Sequence, residues 1–158
     1  MTRFSLTGRR RDVVWLLLGI VLGGYLFADT QPRSFLAALR CEGNCWRAQD
    51  LAGLVASVVV QRAPGLLPLV VAETDRTIAI KLPTAGTHYV VIPKRDIRDV
   101  GELARSDEPY LADAYAVIGR LLREDGLKNY TVLTNGPARQ DVSYLHFHIV
   151  SKELGPTP

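Results

Sequence analysis

At 158 residues the chain can build one domain with a buried core, but not two domains beside a further segment. Its net charge of +3 is carried by the first twelve residues, where Arg3, Arg9, Arg10 and Arg11 outnumber Asp12, and the remainder is neutral. A nucleic-acid partner would need positive charge on the folded domain to displace counterions from phosphates, so the composition argues against one.

In chain order, residues 1–12 form a basic, cytoplasmic N-terminus. Residues 13–28 (VVWLLLGIVLGGYLFA) carry no charge, and at about 1.5 Å per residue they approach the roughly 30 Å of a bilayer's hydrocarbon core. The stretch reads as a single-pass membrane anchor, with a cleaved signal peptide as the alternative. Arginines concentrated before it, against Arg33 and Arg40 after it, place the domain outside the cytoplasm by the positive-inside bias. Residues 29–46 read as a linker that enters a helix after Pro32 and contains the two cysteines, Cys41 and Cys45. An oxidising compartment favours a disulfide between them, with free thiols or a metal site as alternatives.

Residues 47–152 read as the folded domain and 153–158 as a tail. The stretch from Arg47 to Val60 has helical apolar spacing at Leu51, Leu54, Val55 and Val58, tempered by the β-branched run Val58-Val59-Val60. Pro64-Gly65 breaks the chain, and three apolar runs at residues 67–72, 77–82 and 87–93 predict an antiparallel meander. Ser106 as N-cap, apolar positions at Leu111, Tyr115, Ile118 and Leu122, and Gly126 just beyond predict a helix. Strands over residues 130–134 and 142–150 complete an α+β domain of about five antiparallel strands with helices to one side.

The last of these strands alternates strictly. Leu145, Phe147 and Ile149 share one face, and Tyr144, His146 and His148 share the other, so a core face is backed by an imidazole face. By itself a pair of histidines on a strand is more often solvated or structurally hydrogen-bonded than catalytic. The preceding loop adds Asn135, Gly136 and Gln140, whose amides and flexible backbone suit an anion.

Two segments carry a family resemblance. Thr134-Asn135-Gly136-Pro137-Ala138-Arg139-Gln140-Asp141-Val142-Ser143-Tyr144-Leu145-His146-Phe147-His148 resembles the histidine-triad signature, an Asn-x-Gly loop, Gly-Gln-x-Val and then His-x-His-x-His. Upstream, Gly86-Thr87-His88-Tyr89-Val90-Val91-Ile92-Pro93-Lys94-Arg95 is similar to the family's Gly-His-Thr-Leu-Val-Ile-Pro-Lys-Arg-His stretch. With the turn at Glu73-Thr74-Asp75-Arg76, the resemblance covers roughly residues 50 to 152.

The resemblance implies that His146 is a nucleophile attacking the α-phosphate of a nucleotide-like or lipid-linked phosphate compound through a covalent phosphohistidine intermediate. It further implies that His148 contacts the phosphate or leaving group, that Asn135, Gly136 and Gln140 steady the phosphate oxygens, and that His88 supports from a neighbouring strand. No metal or cofactor is required by this chemistry. Tyr144 stands where the first triad histidine belongs, Asp141 where a small polar residue is usual, and Asp96 where a histidine follows Pro-Lys-Arg. The link from Ile80 to Pro83 is about two residues short, and Lys81 occupies the place of the acid that holds ribose hydroxyls, where it is counted with the phosphate-binding residues. These departures keep a second reading open, a catalytically inactive binding module or accessory subunit of a membrane complex, with a homodimer as a further partner arrangement.

Overall fold

The computed structural model describes residues 6–31 and 47–152. Helix α1 spans Leu6–Phe27 and α2 spans Ala48–Arg62. A 3-10 turn at Pro64–Leu66 leads into strands β1 (Val70–Glu73), β2 (Thr77–Lys81) and β3 (Thr87–Pro93). Two further 3-10 turns, Val100–Glu102 and Arg105–Asp107, precede α3 (Glu108–Glu124), after which come β4 (Thr131–Leu133) and β5 (Phe147–Ser151). The strands form one antiparallel sheet in the order β1-β2-β3-β5-β4.

Alternation along the strands sorts side chains between two helices. Ala79 on β2, Tyr89 and Val91 on β3, and Phe147 and Ile149 on β5 are buried against Ala114, Val117, Ile118 and Leu121 of α3. The opposite face carries Ile78, Ile80 and Ile92, which cluster with Ala56 and Val60 of α2 and with Tyr144. The expected five antiparallel strands are present, with helices on both faces of the sheet rather than one.

Local corrections follow from particular contacts. The α2 stripe expected at Leu51, Leu54, Val55 and Val58 is not its inner face, since Leu51 and Val55 are exposed while Asp50, Gly53, Ser57 and Val60 are buried. Small side chains there let the helix backbone come close: a Cβ on Gly53 would lie 2.4 Å from the Ser143 carbonyl oxygen. Ser106 lies inside a 3-10 turn instead of capping α3, because the Asp107 carboxylate accepts from the Ala104 amide at 2.9 Å and from Arg95 Nε at 2.5 Å. Gly126 adopts φ +62° just past α3, the left-handed terminus that glycine tolerates best. The last strand begins at Phe147 rather than Val142. Upstream of it, the Ser143 amide donates to the Gln49 carbonyl and the Leu145 amide to the Ile97 carbonyl, so α2 and the loop after β3 hold this stretch in place of a ladder.

The membrane anchor and the outward placement of the domain do not hold. Within α1, Arg10, Arg11 and Asp12 are part of the helix, and the uncharged remainder, residues 13–27, is about 22 Å long at about 1.5 Å per residue. A hydrocarbon core needs roughly 30 Å. No helix among the described residues is long and apolar enough to cross a membrane. Instead α1 meets α2 at its C-terminal end, where the Arg62 guanidinium lies over the Tyr25 ring and pairs with Asp29, and the Gln31 amide donates to the buried Asp96 carboxylate at 2.7 Å. Cys41, Cys45 and the helix expected after Pro32 lie outside the described residues.

Candidate active site

On the α2 face of the sheet, a cavity of about 330 Å3 opens between α2, the sheet and the 135–146 segment. Its walls are apolar: Ala56 and Val60 from α2, Leu67, Ile80 from β2, and Val90 and Ile92 from β3. The register explains this wall, since Ile80 pairs with Val90 across β2 and β3 and Ile78 with Ile92, all on the face away from α3. The polar end is built by His146, His148, Asn135 and Asp141, with Tyr144 and Val142 beneath.

His146 is oriented by backbone. Its Nδ1 lies 2.7 Å from the carbonyl oxygen of Tyr144. A carbonyl can only accept, so Nδ1 carries the proton in the neutral ring and the lone pair resides on Nε2. The Tyr144 side chain does not take part in this. It is 1% exposed, and its hydroxyl donates to the Pro93 carbonyl at 2.8 Å, which ties the segment before β5 to the end of β3. The group that orients His146 is thus the backbone carbonyl of residue 144 and not its side chain.

His148 stands beside His146 with ring centroids 4.8 Å apart in an edge arrangement. Its Nδ1 is 2.9 Å from Nε2 of His88 on β3, so the two rings share one proton along that contact. Burial, reinforced by the neighbouring His146 and His88, lowers the pKa of His148 from 6.5 to about 4. A neutral ring at this position can donate to, or accept from, a phosphate derivative without competing as a cation.

The remaining sequence candidates separate. Asn135 lines the cavity, whereas Gly136 lies exposed in the loop, where its carbonyl accepts from the Arg139 amide. Gln140 is buried, its Nε2 donates to the Arg98 carbonyl at 3.1 Å, and it is not among the residues that line the cavity. Lys81 is on the other side of the sheet: it follows Ile80 on β2, sits 3.6 Å from Asp125 and lies over the Tyr89 ring. Lys81 does not line the cavity. The residues that sequence reasoning missed are the apolar wall and the Tyr144 carbonyl. Alternation in β2 and β3 could have revealed the wall, but not which helix would close it.

An antiparallel five-stranded sheet with His146 and His148 beside an apolar cavity, and His88 bonded to His148 from the adjacent strand, is the arrangement expected of a histidine-triad domain. Residues 69–156, more than half of the chain, match the family described as "Scavenger mRNA decapping enzyme C-term binding". The chain belongs to the histidine-triad (HIT) family. It is 32% identical over 89 residues to a HIT-like protein of Chlamydia muridarum, covering 53% of this chain and 71% of that one. A HIT domain-containing protein of Dictyostelium discoideum is 32% identical over 112 residues, 64% of this chain but 29% of the relative, so the chain spans under a third of that protein's length. Among solved structures, a HIT family hydrolase from Clostridium thermocellum superposes with TM-score 0.54 at 30% identity, covering 65% of this chain and 94% of that one. A HIT family hydrolase from Legionella pneumophila gives TM-score 0.54 at 26% identity, covering 60% and 91%.

Proposed function

We propose that the protein hydrolyses a nucleotide-like phosphate compound, with the organic group in the apolar cavity and phosphorus beside His146. The observation that carries this reading is the bond from His146 Nδ1 to the Tyr144 carbonyl, which fixes the tautomer with its lone pair on Nε2. In the first step Nε2 attacks phosphorus as the bond to the leaving group breaks, and the leaving group takes up a proton. In the second, water attacks the same phosphorus, the histidine–phosphorus bond breaks, and a phosphate monoester departs with His146 restored. His148, held against His88, is placed to steady the phosphoryl oxygens or to pass the leaving group its proton. The lipid-linked substrates suggested by an anchor lose their motivation with it.

The full chain should turn over at least one member of a panel of nucleoside phosphoanhydrides and phosphoramidates. His146→Ala should abolish that turnover while leaving the thermal midpoint close to the parent's, and His148→Ala should slow it by about 10² to 10³. Mass spectrometry of protein quenched in alkaline denaturant, in which the histidine–phosphorus bond survives, should find a nucleotidyl adduct on His146. Tight binding of nucleotide with no turnover and no adduct would replace this reading with the binding-module reading, and turnover that survives His146→Ala would remove the site assignment.

A further inference from the structure

Of the asparagines in the chain, Asn135 alone is followed by glycine. An asparagine side chain is short enough for the amide nitrogen of the next residue to reach its carbonyl carbon and close a five-membered ring. Glycine permits that approach best, because no Cβ crowds the attacking nitrogen. Hydrogen bonds to either group hold them apart in a folded chain, and here both groups are without one. Among the described residues the Asn135 side chain has no hydrogen-bond partner and the Gly136 amide donates to none. The loop is held just beyond the pair instead, where the Gly136 carbonyl accepts from the Arg139 amide at 2.9 Å and the Pro137 carbonyl from Gln49 Nε2 at 3.4 Å. Gly136 is exposed, so hydroxide has access to its N–H. The same chain holds a contrasting pair, Asp125-Gly126, just past α3. There the Gly126 amide donates to the Arg123 carbonyl at 3.3 Å, and the Asp125 carboxylate accepts from the Tyr89 hydroxyl and pairs with Lys81. The fold thus ties down one susceptible pair and leaves the other open, at a residue that lines the cavity with His146 and His148.

We propose that Asn135 is a site of spontaneous covalent modification, at which the folded protein converts a cavity-lining amide to aspartate and isoaspartate. The Gly136 nitrogen gives its proton to hydroxide and bonds to Cγ of Asn135; the Cγ–Nδ2 bond breaks, and ammonia leaves with a proton taken from water. Water then adds to one carbonyl of the succinimide ring and breaks that carbon's bond to the ring nitrogen, which regains its proton. Opening at Cγ gives aspartate. Opening at the backbone carbonyl carbon gives isoaspartate, whose main chain runs through the former side chain and is longer by a methylene. The net change consumes water and releases ammonia, and it needs no oxidant, enzyme or bound ligand.

The full-length protein, native and in denaturing urea, is incubated over a range of neutral to mildly alkaline pH and then digested in acid. Peptide masses report the amide-to-acid change at Asn135, and methylation by an isoaspartyl methyltransferase reports isoaspartate. The native protein should convert Asn135 within about fivefold of the denatured chain's rate, as expected of a pair with no hydrogen bond to break. That rate should rise in proportion to hydroxide. Gly136→Ala should slow conversion by at least about fivefold, because its methyl group crowds the nitrogen. The variant is compatible with the fold, since nothing lies within 4 Å of an added Cβ and Gly136 is outside the left-handed region. Asp125 should isomerise in urea and not in the native protein. An Asn135 that stays intact in the native protein while the denatured chain converts overturns the inference, as does a rate indifferent to Gly136→Ala. Equal conversion of Asn135 and Asp125 in the native protein overturns the role given to hydrogen bonding, and the inference with it. None of these readouts uses turnover, so failure of the proposed hydrolysis leaves the inference standing, and an unmodified Asn135 leaves the hydrolysis standing.

Discussion

Burial between two other imidazoles keeps His148 neutral down to about pH 4 in the folded protein. An unfolded histidine titrates near 6.5, so below that pH the unfolded chain binds more protons than the folded one. The stability that His148 contributes is therefore complete above about pH 6.5 and is lost progressively as pH falls toward 4. We expect the thermal midpoint to decline over this window, and His148→Asn to flatten the decline; a parallel slope in the variant would assign the acid sensitivity elsewhere. At this scale the sequence was informative about position and silent about partners. Strict alternation marked His146 and His148 as neighbours on one face, but nothing local indicated that the Tyr144 hydroxyl would find the Pro93 carbonyl, 51 residues away. Lys81 misled for a related reason: its spacing in the motif suggested a ligand, while the two-residue period of β2 turns it toward Tyr89 and Asp125.

Among the elements, α2 does the most to shape the site. It supplies Ala56 and Val60 to the cavity and supports the segment that leads to His146 through the Gln49 carbonyl and the bare backbone of Gly53. Gly53→Ala would place a methyl group 2.4 Å from a backbone oxygen that cannot rotate away, so helix and segment must part. A loss of about 1 to 3 kcal/mol by thermal or denaturant unfolding is expected, with a fall in turnover as the Tyr144 carbonyl shifts. Gly65→Ala, which meets nothing within 4 Å, is the control and should leave both unchanged. Apolar periodicity could not foresee this face, because what qualifies Asp50, Gly53 and Ser57 for the interior is small size or a specific partner rather than hydrophobicity. By contrast α3, whose buried positions Ala114, Val117, Ile118 and Leu121 follow a regular helical stripe, is legible as a helix from Leu111, Tyr115, Ile118 and Leu122, although Tyr115 is exposed.

For the molecule as a whole, the meander is readable because each strand is bounded by turn residues, whereas the return of β5 beside β3 follows only from the resemblance, which sets His88 on a strand neighbouring the histidine strand. At the N-terminus, absence of charge over residues 13–28 predicts a span, whereas the helical part without charge is shorter than a bilayer core and its end is tied to α2 and Asp96. The assignment of helices to one side failed because a sheet with apolar residues on both faces needs a cover on both, and the α2 face takes its cover from small residues that carry little hydropathic signal.

The hydrogen bond from the Ser143 amide to the Gln49 carbonyl has a dynamic consequence. A segment held by a helix rather than by its own ladder cannot open while that helix stays docked, so residues 143–145 and α2 belong to one cooperative unit. In native-state hydrogen exchange, the amides of Ser143 and Val60 should share a single opening free energy and respond alike to denaturant, apart from the exchange of β4 at the sheet edge. An amide of Ser143 that exchanged at a loop's rate while α2 stayed protected would separate the two. Under the proposed function, a ligand entering the cavity would leave the segment that aims His146 folded, and the histidine would already be positioned when the ligand arrives.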